Sequence, residues 1–194
     1  MAFKPGIVQK MPELACIGMV KAVGDAYKKE GGTYHVLPID IEGMYAGRTG
    51  KFFFLFEPCW FGKDFDPASL LERDPSGKLY GGYRRMVNDE KKTSALVGLC
   101  GEVFESVAKA FDEAGEATAE QINQILREAL TGREVGYICR QRVDKDEEGK
   151  KELTEFYQID RFFDLSKEEE VQAVIEASEN ESRRTQLVVT WDQD

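Results

Sequence analysis

Arg133-Glu134-Val135-Gly136-Tyr137-Ile138-Cys139-Arg140-Gln141-Arg142-Val143 and Glu152-Leu153-Thr154-Glu155-Phe156-Tyr157-Gln158-Ile159-Asp160-Arg161-Phe162-Phe163 are two runs rich in β-branched and aromatic residues. A polar turn with one glycine, Asp144 to Lys151, separates them. The pattern predicts a β-hairpin. Its arginines lie beside aromatic rings. Arginine binds phosphate and ring faces stack on bases, so the pairing suits a single-stranded nucleic-acid surface.

Upstream, a strand region is predicted from about Glu13 to Tyr27, interrupted by Gly18 and Gly24, where bulges or bends are expected. A second strand spans Thr33 to about Ile41, with Pro38 marking an edge or bulge. A third, Lys51-Phe52-Phe53-Phe54-Leu55-Phe56, is strongly aromatic and buried on at least one face. Residues 57–92 hold Pro58, Pro67, Pro75 and several glycines, and read as a long ordered loop with short elements. A loop of that length inside one domain points to function.

Helical spacing returns from Ser94, with Leu96, Leu99, Val103, Phe104, Val107 and Phe111 on one face. Thr118-Ala119-Glu120-Gln121 is a capping box opening a second helix, and Gly132 is placed to stop it. A C-terminal helix is expected from Ser166, with Glu169 completing a second capping box. The fold class is therefore α+β and mainly β. Three strands, a helical insertion over 94–131, and two more strands follow the order of a five-stranded Greek-key barrel, the OB-fold. The expected domain covers residues 1–165, and residues 166–194 add the C-terminal helix and an acidic tail.

The formal net charge of −10 argues against nucleic acid until its distribution is considered. Residues 1–92 carry 14 Lys+Arg and 12 Asp+Glu, a net of +2, whereas residues 93–194 carry 12 and 24, a net of −12. The field over a groove decides binding, and net charge alone does not. No apolar run reaches the roughly 18 residues that span a bilayer, and Met1 to Gly6 has no signal-peptide core. A cytoplasmic protein is expected. Cys16, Cys59, Cys100 and Cys139 are far apart in sequence and read as buried free thiols, not as a zinc site. The single histidine, His35, has no matching nucleophile. Neither G-x-x-x-x-G-K-[ST] nor G-x-G-x-x-G is present, and the Asp144–Gly149 acids lack the EF-hand pattern, so no enzyme, metal or cofactor is expected.

Ile41-Glu42-Gly43-Met44-Tyr45-Ala46-Gly47-Arg48 with the aromatic strand after it resembles the middle of phage-encoded OB-fold proteins of replication and recombination cassettes, some of which bind single-stranded DNA. The Gly132-Arg133-Glu134-Val135 strand entry and the Tyr157–Phe163 strand end are also similar. The resemblance implies a protein of the host cytoplasm that coats or protects single strands and needs no metal.

The candidate binding set is Tyr45, Arg48, Lys51, Trp60, Phe61, Lys63, Tyr80, Tyr83, Arg84 and Arg85, with rings stacking on bases and cations following the backbone. Its structural alternative has Trp60 and Phe61 packing the loop onto the barrel. On the hairpin, Arg140 and Arg142 share one face if alternation is unbroken, with Tyr137 on the other. Ion pairs to Glu155 or Asp160 are the alternative there. The tail, Leu187-Val188-Val189-Thr190-Trp191 before Asp192-Gln193-Asp194, is either a packed edge strand or an acidic segment that recruits replication or recombination proteins. The second functional class is an acidic interaction module or DNA mimic. Oligomeric state is left open, a homo-oligomer included.

Overall fold

In the computed structural model the described residues are 14–44, 48–87, 95–145, 151–169, 171–173 and 175–176. Six antiparallel strands form one sheet: β1 Leu14–Val23, β2 Tyr27–Lys28, β3 His35–Met44, β4 Arg48–Phe56, β5 Glu134–Lys145 and β6 Lys151–Phe163. β3 pairs with β4 on one side and with β1 and β2 on the other; β1 then pairs with β5, and β5 with β6. The fold is α+β with an open sheet. The expected barrel is not closed, because among the described residues β4 and β6 share no ladder.

Alternation along the strands decides the two faces. Directly opposed residues of an antiparallel pair point the same way, and successive residues point oppositely. Leu37, Ile39 and Ile41 of β3 and Phe54 and Phe56 of β4 are buried with Val20 and Tyr137 in one core. Gly18 is required by close approach, not by a bulge: a Cβ there would lie 2.5 Å from the Glu42 carbonyl oxygen. The register irregularity in β1 falls later, between Val20 and Ala22.

The predicted first strand is broken. Gly24 to Ala26 leave the ladder, and Asn123 holds the break open. Its Oδ1 accepts from the Ala26 N–H at 3.0 Å and its Nδ2 donates to the Gly24 carbonyl at 2.9 Å. Because β2 continues along the same edge of β3 as β1, the two act as one interrupted strand.

The segment after β4 differs from the loop expected. Pro58–Phe61 forms one 3-10 turn, followed by helices α1, Ala68–Arg73, and α2, Lys78–Val87. Tertiary packing overrides the glycines of α2: Leu79, Tyr80, Tyr83 and buried Met86 recur at helical spacing against the core. The helix read from Ser94 through Phe111 is also interrupted. α3, Ala95–Cys100, ends where Gly101 takes φ +52°, a 3-10 turn follows over Gly101–Val103, and α4 spans Phe104–Ala114. α5, Ala119–Leu130, opens with the expected capping box: Thr118 Oγ1 accepts from the Gln121 N–H and Gln121 Oε1 accepts from the Thr118 N–H. Gly132, at φ +82°, follows its end.

The helices cover the core side of the sheet. α3 lies so close to β6 that a Cβ on Gly98 would be 2.8 Å from the Phe162 carbonyl oxygen. A helix thus covers the edge strand, one of the ways an edge is protected. After β6, the Asp164 carboxylate fixes the chain by accepting from the Ser166 N–H and hydroxyl, at 3.0 and 2.7 Å. Helical residues begin at 168, so Asp164 takes the organising role expected of Ser166. Tyr45 and residues 177–194, with the tail strand Leu187–Trp191, lie outside the described residues.

Candidate nucleic-acid interface

The sheet face opposite the core carries an exposed apolar strip. In β4, Phe52, Phe54 and Phe56 point inward, so Phe53 and Leu55 point outward and are 50% and 47% exposed. Leu55 is directly opposite Val36, which is directly opposite Tyr27, itself 51% exposed. Phe53 is opposite Pro38. Tyr27 and Leu55 thus stand about 10 Å apart across two strand spacings, with Phe53 one row further on. The strip ends at the turn between β2 and β3. There Lys29 is exposed, with its Nζ 5.7 Å over the Tyr34 ring; Lys28, opposite His35 and so on the Phe56 side, points to the other face. Further along the face, the Lys51 Nζ pairs with Asp40 at 2.8 Å and Lys21 pairs with Glu42. Half-exposed Ile17 and Met19 of β1 lie beyond this charged belt.

Sequence reasoning missed Tyr27, Phe53 and Leu55. The signal was present in the five-residue run Phe52 to Phe56, where a strand buried on one face must show its second and fourth residues on the other.

The predicted residues are dispersed. Lys51 lies on the outer face beside the strip. Arg48 begins β4 opposite Met44, and Arg140 and Arg142 lie in β5; their side chains are outside the description. A register irregularity between Gln141 and Val143 interrupts the alternation that placed Arg140 and Arg142 on one face. Tyr137 points away from that surface into the core. Lys63 is exposed on the chain between the 3-10 turn and α1.

Trp60 is 5% exposed and presents no open ring face; Phe61 is buried with it. The Trp60 ring meets Tyr83 edge-on at 5.9 Å, and Tyr83 also leans on Phe65 at 5.2 Å. Burial raises the Tyr83 phenol pKa, with a smaller contribution from Tyr80. Tyr80 and Arg84 are one helical turn apart, with the guanidinium 5.8 Å over the ring, and Arg85 is exposed. Tyr80, Tyr83, Arg84 and Arg85 therefore belong to a helix packed on the core side, not to a loop. The structure does not bring them together with Phe53 and Tyr27.

Cys100 and Cys139 are buried, whereas Cys16 is only partly buried and Cys59 is exposed, against the expectation of four buried thiols. Burial pushes Cys100 up to about 12. Burial and then the Glu57 carboxylate raise Cys59. Contact with Cys16, at Sγ···Sγ 3.7 Å, followed by burial, raises Cys139 strongly. Among the described residues no three His, Cys, Asp or Glu side chains gather as a metal site, and no helix is long and apolar enough to cross a membrane. Comparison with protein-family models, curated proteins and solved structures finds no match.

Proposed function

We propose that this protein binds single-stranded DNA across the outer face of β3 and β4 and the neighbouring β2–β3 turn, coating or protecting the strand without chemistry. The observation that carries the reading is the exposed strip of Tyr27, Phe53 and Leu55 ending at Lys29. Rings at strand spacing are stacking platforms, and the adjacent lysine supplies charge for the backbone. The strand connectivity supports the same proposal. With β1 and β2 taken as one interrupted strand, five strands follow the OB order with the helices after the third, and the OB-fold is a partly open barrel that binds oligonucleotides on its second and third strands and adjoining loop.

One observation favours a second reading, an interaction module that docks another protein on the same strip. Lys21 and Lys51, the cations nearest its centre, are already paired with Glu42 and Asp40. Titration with labelled oligo-dT and with a duplex of equal length separates the readings. Strand binding predicts tighter association with oligo-dT and an affinity falling with salt by about 0.7 log units per log salt for each neutralised phosphate. No association at low salt favours the docking module.

A further inference from the structure

A cavity of about 290 Å³ opens where α3 ends, between Arg133 to Gly136 at the β5 entry and the stretch from Phe163, the last residue of β6, to Ser166. It contains an incompletely used guanidinium. Arg133 Nη1 donates to Glu102 Oε1 at 3.3 Å, but Nε is buried without a hydrogen-bond partner. A buried donor left unpaired destabilises the fold, so its persistence calls for an acceptor. Among the described residues nothing claims the side-on edge formed by Nε and Nη2. Gly101, held at φ +52°, borders the same place closely: a Cβ there would crowd Asp164 Oδ1 at 3.1 Å and lie 3.9 Å from Arg133 Nη2.

The side-on edge of arginine makes two parallel hydrogen bonds, either to an oxyanion or to the O6 and N7 of guanine. The lining decides between them. Glu102, Glu134 and Asp164 bring carboxylates to the cavity, which repel an anion and accept from N–H donors. Guanine carries acceptors on one edge, donors on another, and no charge. The Phe163 ring also lines the cavity, lying over Gly136. The register puts this place on the same sheet face as the proposed strand path, beyond the Lys21–Glu42 and Lys51–Asp40 pairs: Gly136 is opposite Ile17 and Glu134 opposite Met19, both partly exposed on the outer face.

We infer that this cavity takes one unstacked guanine base, with Arg133 reading O6 and N7 and the carboxylates facing the N–H edge. The inference rests on the strand-binding proposal for its biological ligand, and adds a preference at one nucleotide to otherwise sequence-tolerant contacts. Two measurements test it separately. Guanosine, adenosine and inorganic phosphate are titrated into isotope-labelled protein, reading the amides of Gly101 and Arg133. Oligo-dT carrying one central dG is compared with the same oligomer carrying one dA. Saturable shifts are expected with guanosine alone, together with roughly tenfold tighter binding of the dG oligomer, the scale of one bidentate base contact. Arg133→Lys keeps the charge but loses the fork; it should erase the difference while leaving oligo-dT affinity intact, which also reports folding. A response to phosphate instead of guanosine, or equal affinity for the dG and dA oligomers, overturns the inference. Guanosine binding without oligo-dT binding upholds the cavity and rejects the strand-binding proposal.

Discussion

The rings of Phe52 and Phe162 meet edge to face, with centroids 4.7 Å apart and planes at 84°. Phe52 belongs to β4 and Phe162 to β6, the two strands at opposite ends of the sheet. The sheet is therefore curled far enough for its ends to touch through side chains while sharing no ladder. Aromatic contact and the covering helix α3 do what a fifth set of strand hydrogen bonds would do in a closed barrel. Phe52→Ala should cost about 2 to 4 kcal/mol in denaturant unfolding, somewhat below a fully buried phenylalanine because Phe52 is only partly buried. A double-mutant cycle with Phe162→Ala should give a coupling of about 0.5 to 1.5 kcal/mol. Strict additivity would mean that the two ends stabilise the fold independently.

Asn123 ties α5 to the break between β1 and β2 through its two bonds to Gly24 and Ala26. Replacing it with leucine keeps the volume but leaves the part-buried Ala26 N–H without its acceptor and the Gly24 carbonyl with Arg127 Nη2 alone, at 3.3 Å. Asn123→Leu should lower stability by about 1 to 3 kcal/mol, measured by urea unfolding. Hydrogen exchange at the Ala26 amide should speed up before exchange in β3 does.

Trp60 and Phe53 should behave oppositely. Trp60→Ala removes a buried ring and should cost about 3 to 5 kcal/mol of stability. Phe53→Ala changes a half-exposed ring, and its main effect should be on strand affinity, weakened by about 1 to 3 kcal/mol. Melting and oligo-dT titration on both variants check this. A Phe53→Ala protein that melts far below wild type would show that the ring is part of the packing.

The contrast marks what the sequence could reveal. Strand alternation and the Thr118 capping box are local, and both were legible: the hairpin arms, the aromatic strand and α5 lie where their residues place them. What failed depended on distant partners. Gly81 and Gly82 weigh against a helix in isolation, and only the core beneath Leu79, Tyr83 and Met86 makes α2 favourable. Trp60 reads equally well as a stacking ring or a packing ring until Tyr83 is set against it. Gly101 lies within an unbroken apolar periodicity, so its left-handed backbone was invisible, and with it the cavity beside Arg133.

Cys100 carries a pH signature. Burial favours its neutral thiol, moving its pKa from an ordinary 9 to about 12. Its contribution to stability is complete below pH 9, where the unfolded thiol is also neutral. It is lost as pH rises from 9 towards 12, because only the unfolded chain ionises readily. Wild type should lose more stability than Cys100→Ala between pH 8 and about pH 10.5, followed by chemical denaturation. At pH 8, iodoacetamide should label exposed Cys59 in the folded protein well before Cys100.

The central claim concerns the outer face of β3 and β4, and fluorescence anisotropy of labelled oligo-dT tests it most directly. Wild type and the Tyr27→Ala, Phe53→Ala double variant are titrated at two salt concentrations. Wild type should bind at low salt and weaken as salt rises. The double variant, with unchanged melting, should bind at least tenfold more weakly while keeping the same salt slope, because rings and not charges were removed. Equal affinity of a folded double variant and wild type would contradict the claim.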